Sequence, residues 1–280
     1  MQIIQQRKWF YIISALIIIP GIISLMMQGL NLGIDFSGGS MLHIKLPAGT
    51  TSAQVSEVLA DMKIGKADVQ KSGDEFYIRT SALSQEKTDE VMANFKTEFK
   101  QVEFLSSENV GAVIGKELTR NAILALLIAT VMMLLYITFR FEWTFGIAAI
   151  VGIIHNVLIV LGLFSLFQWE INSAFIAAIL TVIGYTINDT IIIFDRVREN
   201  LRIKSKEDFA TLLNRSIMQM MNRSVNTVLT SVFALVALII FGGESIKLFV
   251  LAMLIGFTIG AYSSIFITSP VLYQIRGNKA

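Results

Sequence analysis

The acidic chemistry of this 280-residue chain converges on Asp189, in the run Gly184-Tyr-Thr-Ile-Asn-Asp-Thr-Ile-Ile-Ile-Phe194, where its neighbours are apolar, hydroxylic or amide. A permanent charge at membrane depth is costly, so an intramembrane carboxylate is read first as a functional group. Apolar residues continue to Phe194, and Asp195, Arg196, Arg198 and Glu199 then mark the return to water. Asp189 lies about one and a half helical turns inside that boundary. Its side chain is too short to reach the interface as a lysine does. It must either meet a polar partner inside the bundle or hold a proton, because loss of water disfavours the charged form of a carboxylate. Asn188 and Thr190 could tie helices together without a carboxylate, so proton exchange is the stronger reason for an aspartate here.

Arg223 is the candidate partner. It precedes Ser224-Val-Asn-Thr-Val-Leu-Thr230 and follows a stretch rich in Ile and Met, so a fifth helix starting near Ser216 places it roughly two turns inside. An arginine beside Asp189 favours the carboxylate form, and separation of the two frees the acid to take up a proton. The competing reading is that Arg223 marks the end of the helix and snorkels to headgroups. His155 and Asn156 interrupt the third span and are candidates for a supporting polar pathway or for simple hydrogen bonds between helices. Other chemistries are absent from the sequence. There is no cysteine, His43 and His155 stand far apart, and no zinc-protease or phosphate-loop motif occurs. An intramembrane aspartyl protease needs two opposed aspartates, and the spans offer one. Neither a metal nor an organic cofactor is expected, and no nucleic-acid partner.

Long apolar helices must hold these residues. The chain is 54% hydrophobic and 16% charged, with mean hydropathy +0.65, which excludes an ordinary soluble domain. Apolar runs fall at Trp9–Gln28, Asn121–Phe139, Thr144–Phe167, Asn172–Phe194, Ser224–Phe241 and Leu248–Leu272. Each approaches the roughly 20 residues that cross a bilayer as a helix. The first lacks a small-residue cleavage site, so it is expected to be a retained helix, bent at Pro20. With six alternating spans, Arg7, Lys8, Arg140, the Arg196–Arg215 cluster, Arg276 and Lys279 fall on one side, which the positive-inside rule makes cytoplasmic. Both termini are then cytoplasmic. Phe209, Leu212 and Leu213 suggest that residues 195–215 form an amphipathic segment lying on the cytoplasmic surface, touching acidic lipids. Gly256-Phe-Thr-Ile-Gly260 is a small-xxx-small pattern for close helix packing.

Residues 29–120 read as a globular insertion outside the membrane. Leu42, Ile44 and Leu46 alternate as in a half-buried strand, and Thr51 and Gln54 have capping-box spacing before a helix with Val55, Val58, Leu59 and Met62 on one face. Ala67–Lys71 and Glu75–Thr80 read as a hairpin around Ser72-Gly73-Asp74, followed by a helix from Ser84 to Phe99 and a strand Val102–Leu105. The order β-α-β-β-α-β is that of a ferredoxin-like α+β sandwich. His43, on the polar face of its strand, is expected to be exposed or hydrogen-bonded. The expected architecture is a polytopic α-helical membrane protein. It comprises residues 1–28 with the first helix, the outside domain 29–120, a five-helix bundle 121–272, and a tail 273–280.

Four motifs in order resemble the SecF family of protein-export membrane proteins, the smaller half of the SecD–SecF pair. They are Gly33-Ile-Asp-Phe-Ser-Gly-Gly-Ser40, Val110-Gly-Ala-Val-Ile-Gly-Lys-Glu-Leu118, the Gly184–Asn200 run and Asn222-Arg-Ser-Val-Asn-Thr227. The resemblance implies membership of the resistance-nodulation-division superfamily, whose twelve helices come from two halves, with a SecD-like subunit supplying the other. It implies use of the proton-motive force in late steps of Sec-dependent translocation across a prokaryotic cytoplasmic membrane. The expected coupling ion is H+, and the expected partners are SecD, a SecYEG-type translocon, the unfolded polypeptide and lipids. The chain is then a transport component and not an enzyme. Asp189 matches the family's proton-carrying aspartate and Arg223 its functional arginine. Family members commonly show His-Asp where this chain has His155-Asn156, which weakens any carboxylate role in that span. A proton-coupled exporter of lipids or small molecules from the same superfamily is the alternative; such exporters usually have larger outside domains. A purely structural assembly subunit, which would tolerate Asp189→Asn, is a further one.

Overall fold

A computed structural model describes residues 2–62, 64, 67–99, 101–203 and 207–277. The chain divides into two compact units, Leu32–Ile123 and, on either side of it in sequence, Met1–Asn31 with Leu124–Ala280. Lys279, counted with the basic residues of the expected tail, and residues 204–206 of the expected surface segment lie outside the described residues.

The inserted unit is a four-stranded antiparallel sheet covered by two helices. Its elements are β1 (Gly39–Lys45), α2 (Ser52–Asp61), β2 (Asp68–Ser72), β3 (Glu75–Thr80), α3 (Gln85–Glu98) and β4 (Glu103–Val110). The strand order β2-β3-β1-β4 is the ferredoxin-like arrangement, with the two βαβ halves interleaved. Alternation sets the faces: Leu42 and Ile44 of β1 and Phe76 and Ile78 of β3 point inward, onto Val55 and Leu59 of α2 and Val91 and Phe95 of α3. Both helices start at hydroxyl caps. Thr51 and Gln54 form the reciprocal capping box of α2, and Ser84 accepts from Lys87 N in α3. Gly73, at φ 61°, turns β2 into β3. On the open face His43 Nε2 meets Glu75 Oε2 at 2.8 Å, and its ring stacks on Tyr77.

β4 runs well past Leu105, through Ser106, Ser107, Glu108 and Asn109 to Val110. Those polar residues carry no alternation, because most of this edge strand is exposed on both faces. At its end the chain turns into the next helix beside Gly38 and Gly39, whose φ of 72° and 134° favour glycine. A Cβ at Gly39 would sit 2.5 Å from the Thr80 carbonyl oxygen, and one at Gly115 would sit 3.1 Å from that of Phe36. The glycines let three backbone segments converge where side chains have no room.

The other unit contains, in full or in greater part, the six helices long and apolar enough to cross a membrane among the described residues. They are α1 (Arg7–Met27), α4 (Ala112–Arg140), α5 (Trp143–Leu166), α6 (Ser173–Arg202), α7 (Phe209–Phe241) and a sixth built from α8 (Glu244–Ser263), a π-helical turn (Ser264–Thr268) and α9 (Ser269–Gly277). α1 continues through Pro20. The adjacent Gly21 touches Gly162 of α5, where an added Cβ would lie 2.8 Å from Gly162 Cα. Arg7, Arg140, Arg198 and Arg276 gather at one end of this unit. There Arg140 pairs with Asp195 at 3.6 Å, Arg198 donates to the Arg140 carbonyl at 3.0 Å, Arg276 pairs with Glu142 at 2.9 Å, and Arg7 lies over Tyr273.

The expectation of a separate surface helix over 195–215 is corrected. Residues up to Arg202 continue α6, and α7 begins at Phe209, capped by Asp208, seven residues before the expected Ser216. The apolar face of that first part of α7 is buried in protein: Leu213 and Ile217 are 0% exposed. Asn214 accepts a hydrogen bond from Ile4 N at 3.0 Å, so the N-terminal segment packs on it. An amphipathic pattern records only that one side avoids water; here protein and not lipid covers it.

Candidate functional site

Helical periodicity puts Val182, Thr186, Asp189, Thr190 and Ile193 of α6 on one buried face, while Gly184 and Asn188 face the other way and are exposed. Asp189 is 6% exposed. The Ser224 hydroxyl of α7 donates to its Oδ1 at 2.6 Å, a short bond of the charge-assisted kind. Ser264, in the π-helical turn, lies beside the same carboxylate. Oδ2 is buried and receives no hydrogen bond of ordinary geometry among the described groups. A buried polar atom without a partner is rare enough to need a reason. On a carboxylate, an open oxygen in a water-poor setting is a place for a proton.

The surrounding polar groups are tied tightly. Thr190 Oγ1 and Ser264 Oγ are 2.9 Å apart, and Ser264 Oγ donates to the Thr186 carbonyl at 3.3 Å. Asn156 of α5 donates to Thr186 Oγ1 at 2.7 Å and to the Gly256 carbonyl of α8 at 3.1 Å. Ser263 donates to the Gly152 carbonyl at 3.0 Å. The π-helical turn has a local cause. Pro270 has no N–H, and its ring would strike the carbonyl of Phe266 in a regular α-helix. Widening by one residue avoids the clash, and Ser269 Oγ donates to the Ser264 carbonyl at 3.0 Å within the widened turn.

Of the residues singled out from sequence, Asp189, Thr190, His155 and Asn156 are buried, whereas Asn188 and Arg223 are exposed. Arg223 makes no ion pair with Asp189 among the described contacts, although its charge is near enough to be felt at the carboxylate. Its neighbour Ser224 makes the direct contact. His155 turns away from Asp189 toward α1, where its Nε2 meets Ser14 Oγ at 2.8 Å, next to Tyr262. No three His, Cys, Asp or Glu side chains gather as metal ligands among the described residues. Ser224, Ser264 and Thr186 were not found from sequence. Hydroxyls are common in apolar helices, and the one available signal was their density at Ser263, Ser264, Thr268 and Ser269 in the last span.

Comparison with known proteins places these observations in a family. Residues 90–278 match the family described as protein export membrane protein SecD/SecF, C-terminal, and residues 23–46 match the SecD/SecF GG motif, which covers Gly38 and Gly39. The protein translocase subunit SecF of Acidaminococcus fermentans is 43% identical over 98% of this chain and 97% of its own length. The protein translocase subunit SecDF of Bacillus subtilis is 38% identical over 98% of this chain, which spans only 38% of that protein. The crystal structure of SecDF, a translocon-associated membrane protein from Thermus thermophilus, superposes with a TM-score of 0.93 at 34% identity, covering 98% of this chain and 38% of that one.

Proposed function

This chain belongs to the SecD/SecF family of protein-export membrane proteins, and from that premise we propose that its Asp189 site couples proton uptake to polypeptide export. It is a multi-pass membrane protein and a SecF-like auxiliary subunit of protein translocation, the counterpart of the SecF portion of fused SecDF proteins. An exporter of lipids or small molecules is not favoured, since full-length relatives at this identity are translocase subunits.

The observation that carries the proton reading is the asymmetric carboxylate: Oδ1 is held by Ser224 at 2.6 Å, while Oδ2 is buried and makes no hydrogen bond of ordinary geometry, with only the Ser264 hydroxyl beside the carboxylate. Charged, Asp189 draws Ser224 of α7 and feels the positive charge of Arg223. Neutral, it keeps only a weaker hydrogen bond from Ser224 and no longer attracts Arg223, and α6 is free to repack against α7 and the π-helical turn. The outside domain, between the first and second spans, then moves with them to hold or pull an emerging chain. One charge crossing about 100 mV supplies about 2.3 kcal/mol. A full reversal of a two-state equilibrium requires about 5.5 kcal/mol. A single proton at that voltage therefore biases the switch, and a full stroke needs more voltage, a pH gradient or more than one proton.

The SecD-like partner has support of its own. Asn222, Arg223 and Asn226 are exposed on α7, a helix apolar enough to cross a membrane, whereas Thr227 and Thr230 donate to the Arg223 and Thr227 carbonyls of the same helix. Lipid tails offer the first three no hydrogen bonds, so a second protein surface covers them. We place the pair in a prokaryotic cytoplasmic membrane with both termini cytoplasmic, alongside a SecYEG-type translocon and its unfolded client. The gathering of Arg7, Arg140, Arg198 and Arg276 at one end of the bundle supports that orientation. The test is translocation into vesicles with and without an imposed proton gradient. Asp189→Asn should abolish the stimulation by the gradient, and equal stimulation in wild type and variant would end the proton reading.

A further inference from the structure

We propose that α1 and α5 travel as one body through the proton cycle, held by a polar latch of Ser24, Gln28 and Ser165, so that displacement of the bundle reaches the outside domain through α1. The inference rests on the proton-coupled reading above and adds the path that its displacement takes. α1 buries three residues, Ser14, Gly21 and Ser24. Each meets α5. Ser14 Oγ lies 2.8 Å from His155 Nε2, an added Cβ at Gly21 would lie 2.8 Å from Gly162 Cα, and Ser24 Oγ lies 2.7 Å from Ser165 Oγ. The partners stand 141 residues apart in both hydrogen-bonded pairs, and the two glycines keep the same separation. A constant separation means parallel helices in a single register, and Ser14, Gly21 and Ser24 have the spacing of a heptad seam. Small residues on that seam bring the backbones together, and a slide of α1 along α5 would break every one of these contacts at once.

The latch closes the seam at the end of α1 that leads to the outside domain. Ser165 is fully buried, and its hydroxyl donates to the Gly29 carbonyl at 2.7 Å. A hydroxyl has one hydrogen, so Ser24 donates to Ser165 and in turn accepts from Gln28 Nε2 at 2.7 Å. The same Gln28 nitrogen donates to the Ser165 carbonyl at 3.0 Å. Just past the end of α5, Gln168 holds φ 52°, a left-handed conformation more usual for glycine. Its side chain donates to the Ser165 carbonyl at 2.7 Å, and its own carbonyl accepts from Asn31 Nδ2 at 2.8 Å. Such a conformation persists where its surroundings over-determine it. The chain is thus tied to α5 as far as Asn31, and the outside unit starts at the next residue, Leu32. At its middle, α5 is bonded through Asn156 to Thr186 of the Asp189 helix, so α5 feels what α6 does. α4, the other connection to the outside unit, has only 6% of its most apolar stretch buried in this chain and little here to pull against.

The experiment is gradient-stimulated translocation in vesicles holding this chain with its SecD-like partner and translocon, using the pair Ser24→Cys with Ser165→Cys. The wild-type chain has no cysteine, so it controls for oxidation of the other subunits. With the thiols reduced, weak donors replace the hydroxyls, and the stimulated component should fall roughly fivefold, on the scale of coupling losses. Diamide then takes up the two thiol hydrogens and the sulfurs join where the hydroxyl oxygens now meet, which should restore stimulation to within about twofold of wild type. Copurification of the SecD-like partner should be the same in both states, which a loss of assembly would not give. The proposal is overturned if the oxidised pair loses stimulation, since α1 must then move against α5. It is equally overturned if the reduced pair keeps wild-type stimulation, or if lost stimulation merely follows lost partner. Should the cysteine pair fail to assemble, Gln28→Ala decides: it spares the Ser24–Ser165 bond and should lower stimulation roughly threefold, and wild-type stimulation there overturns the proposal. Asp189→Asn in the same vesicles separates the two readings. Stimulation surviving that change removes the proton reading and the latch with it. Stimulation lost there yet intact in Gln28→Ala and in the reduced cysteine pair removes the latch alone.

Discussion

α5, α6 and the α8–α9 span differ from α1, α4 and α7 in what covers them. About half of the most apolar stretch of each of the first three is buried within this chain (50–56%), against 17% for α1 and α7 and 6% for α4. The two groups overlap in length, 21–34 residues, and in hydropathy, 1.8–2.6, so neither property separates them. The difference lies in residue size and polarity on one face. The inner spans bring together Gly152, Gly256, Gly260, Asn156, Thr186 and Asp189, which allow close approach and then need partners. The outer spans present Leu, Ile and Phe to lipid or to another subunit, as with Phe139 and Phe241, 95% and 87% exposed. Hydrophobicity alone therefore does not select the face of a membrane helix that is buried, because lipid already satisfies an aliphatic side chain.

Substitutions can break or sharpen that contrast. The largest effect belongs to Asp189→Asn, expected to remove gradient-stimulated translocation altogether. Next, Gly256→Ala forces a methyl into Val182 and should lower stability by about 1–3 kcal/mol, as overpacking does. Leu127→Ala, on exposed α4, should change it by less than about 0.5 kcal/mol in the isolated subunit. Thermal unfolding in detergent compares the two, and equal losses would erase the distinction between inner and outer spans. Arg223→Met tests whether the exposed polar stripe of α7 meets a partner. It should weaken copurification of the SecD-like subunit and gradient stimulation together, while the stability of the lone chain stays within about 0.5 kcal/mol. The smallest effect lies at the cap of α7. Hydrogen bonds from Thr211 hold the Asp208 carboxyl below its ordinary range. Its contribution is therefore present above the usual aspartate pKa and fades as pH falls through the lowered value. Asp208→Ala should flatten that acidic limb of the stability profile.

Some local features were legible because one principle governed them. The capping box at Thr51 and Gln54 and the inward alternation of Leu42 and Ile44 depend only on near neighbours in sequence. β4 was read too short because Ser106 to Asn109 lie on an edge where neither face is buried, so burial leaves no period to find. The start of α7 was missed for the opposite reason. Asn214, Arg215 and Gln219 interrupt the apolar run, yet Asn214 and Gln219 are bonded inside the fold, to Ile4 and Asn200. The π-helical turn follows from Pro270, but its contact with Thr190 required the neighbouring helix.

The sequence by itself determined six membrane-length helices, the inserted β-α-β-β-α-β domain and the depth of Asp189, because hydropathy and periodicity are properties of consecutive residues. Tertiary structure alone decided that Ser224 and not Arg223 touches the carboxylate, that Asn188 faces away, and that Asn156 clasps two helices. Those outcomes depend on the rotation of each helix about its axis, and that rotation is fixed by close contacts between residues far apart in the chain.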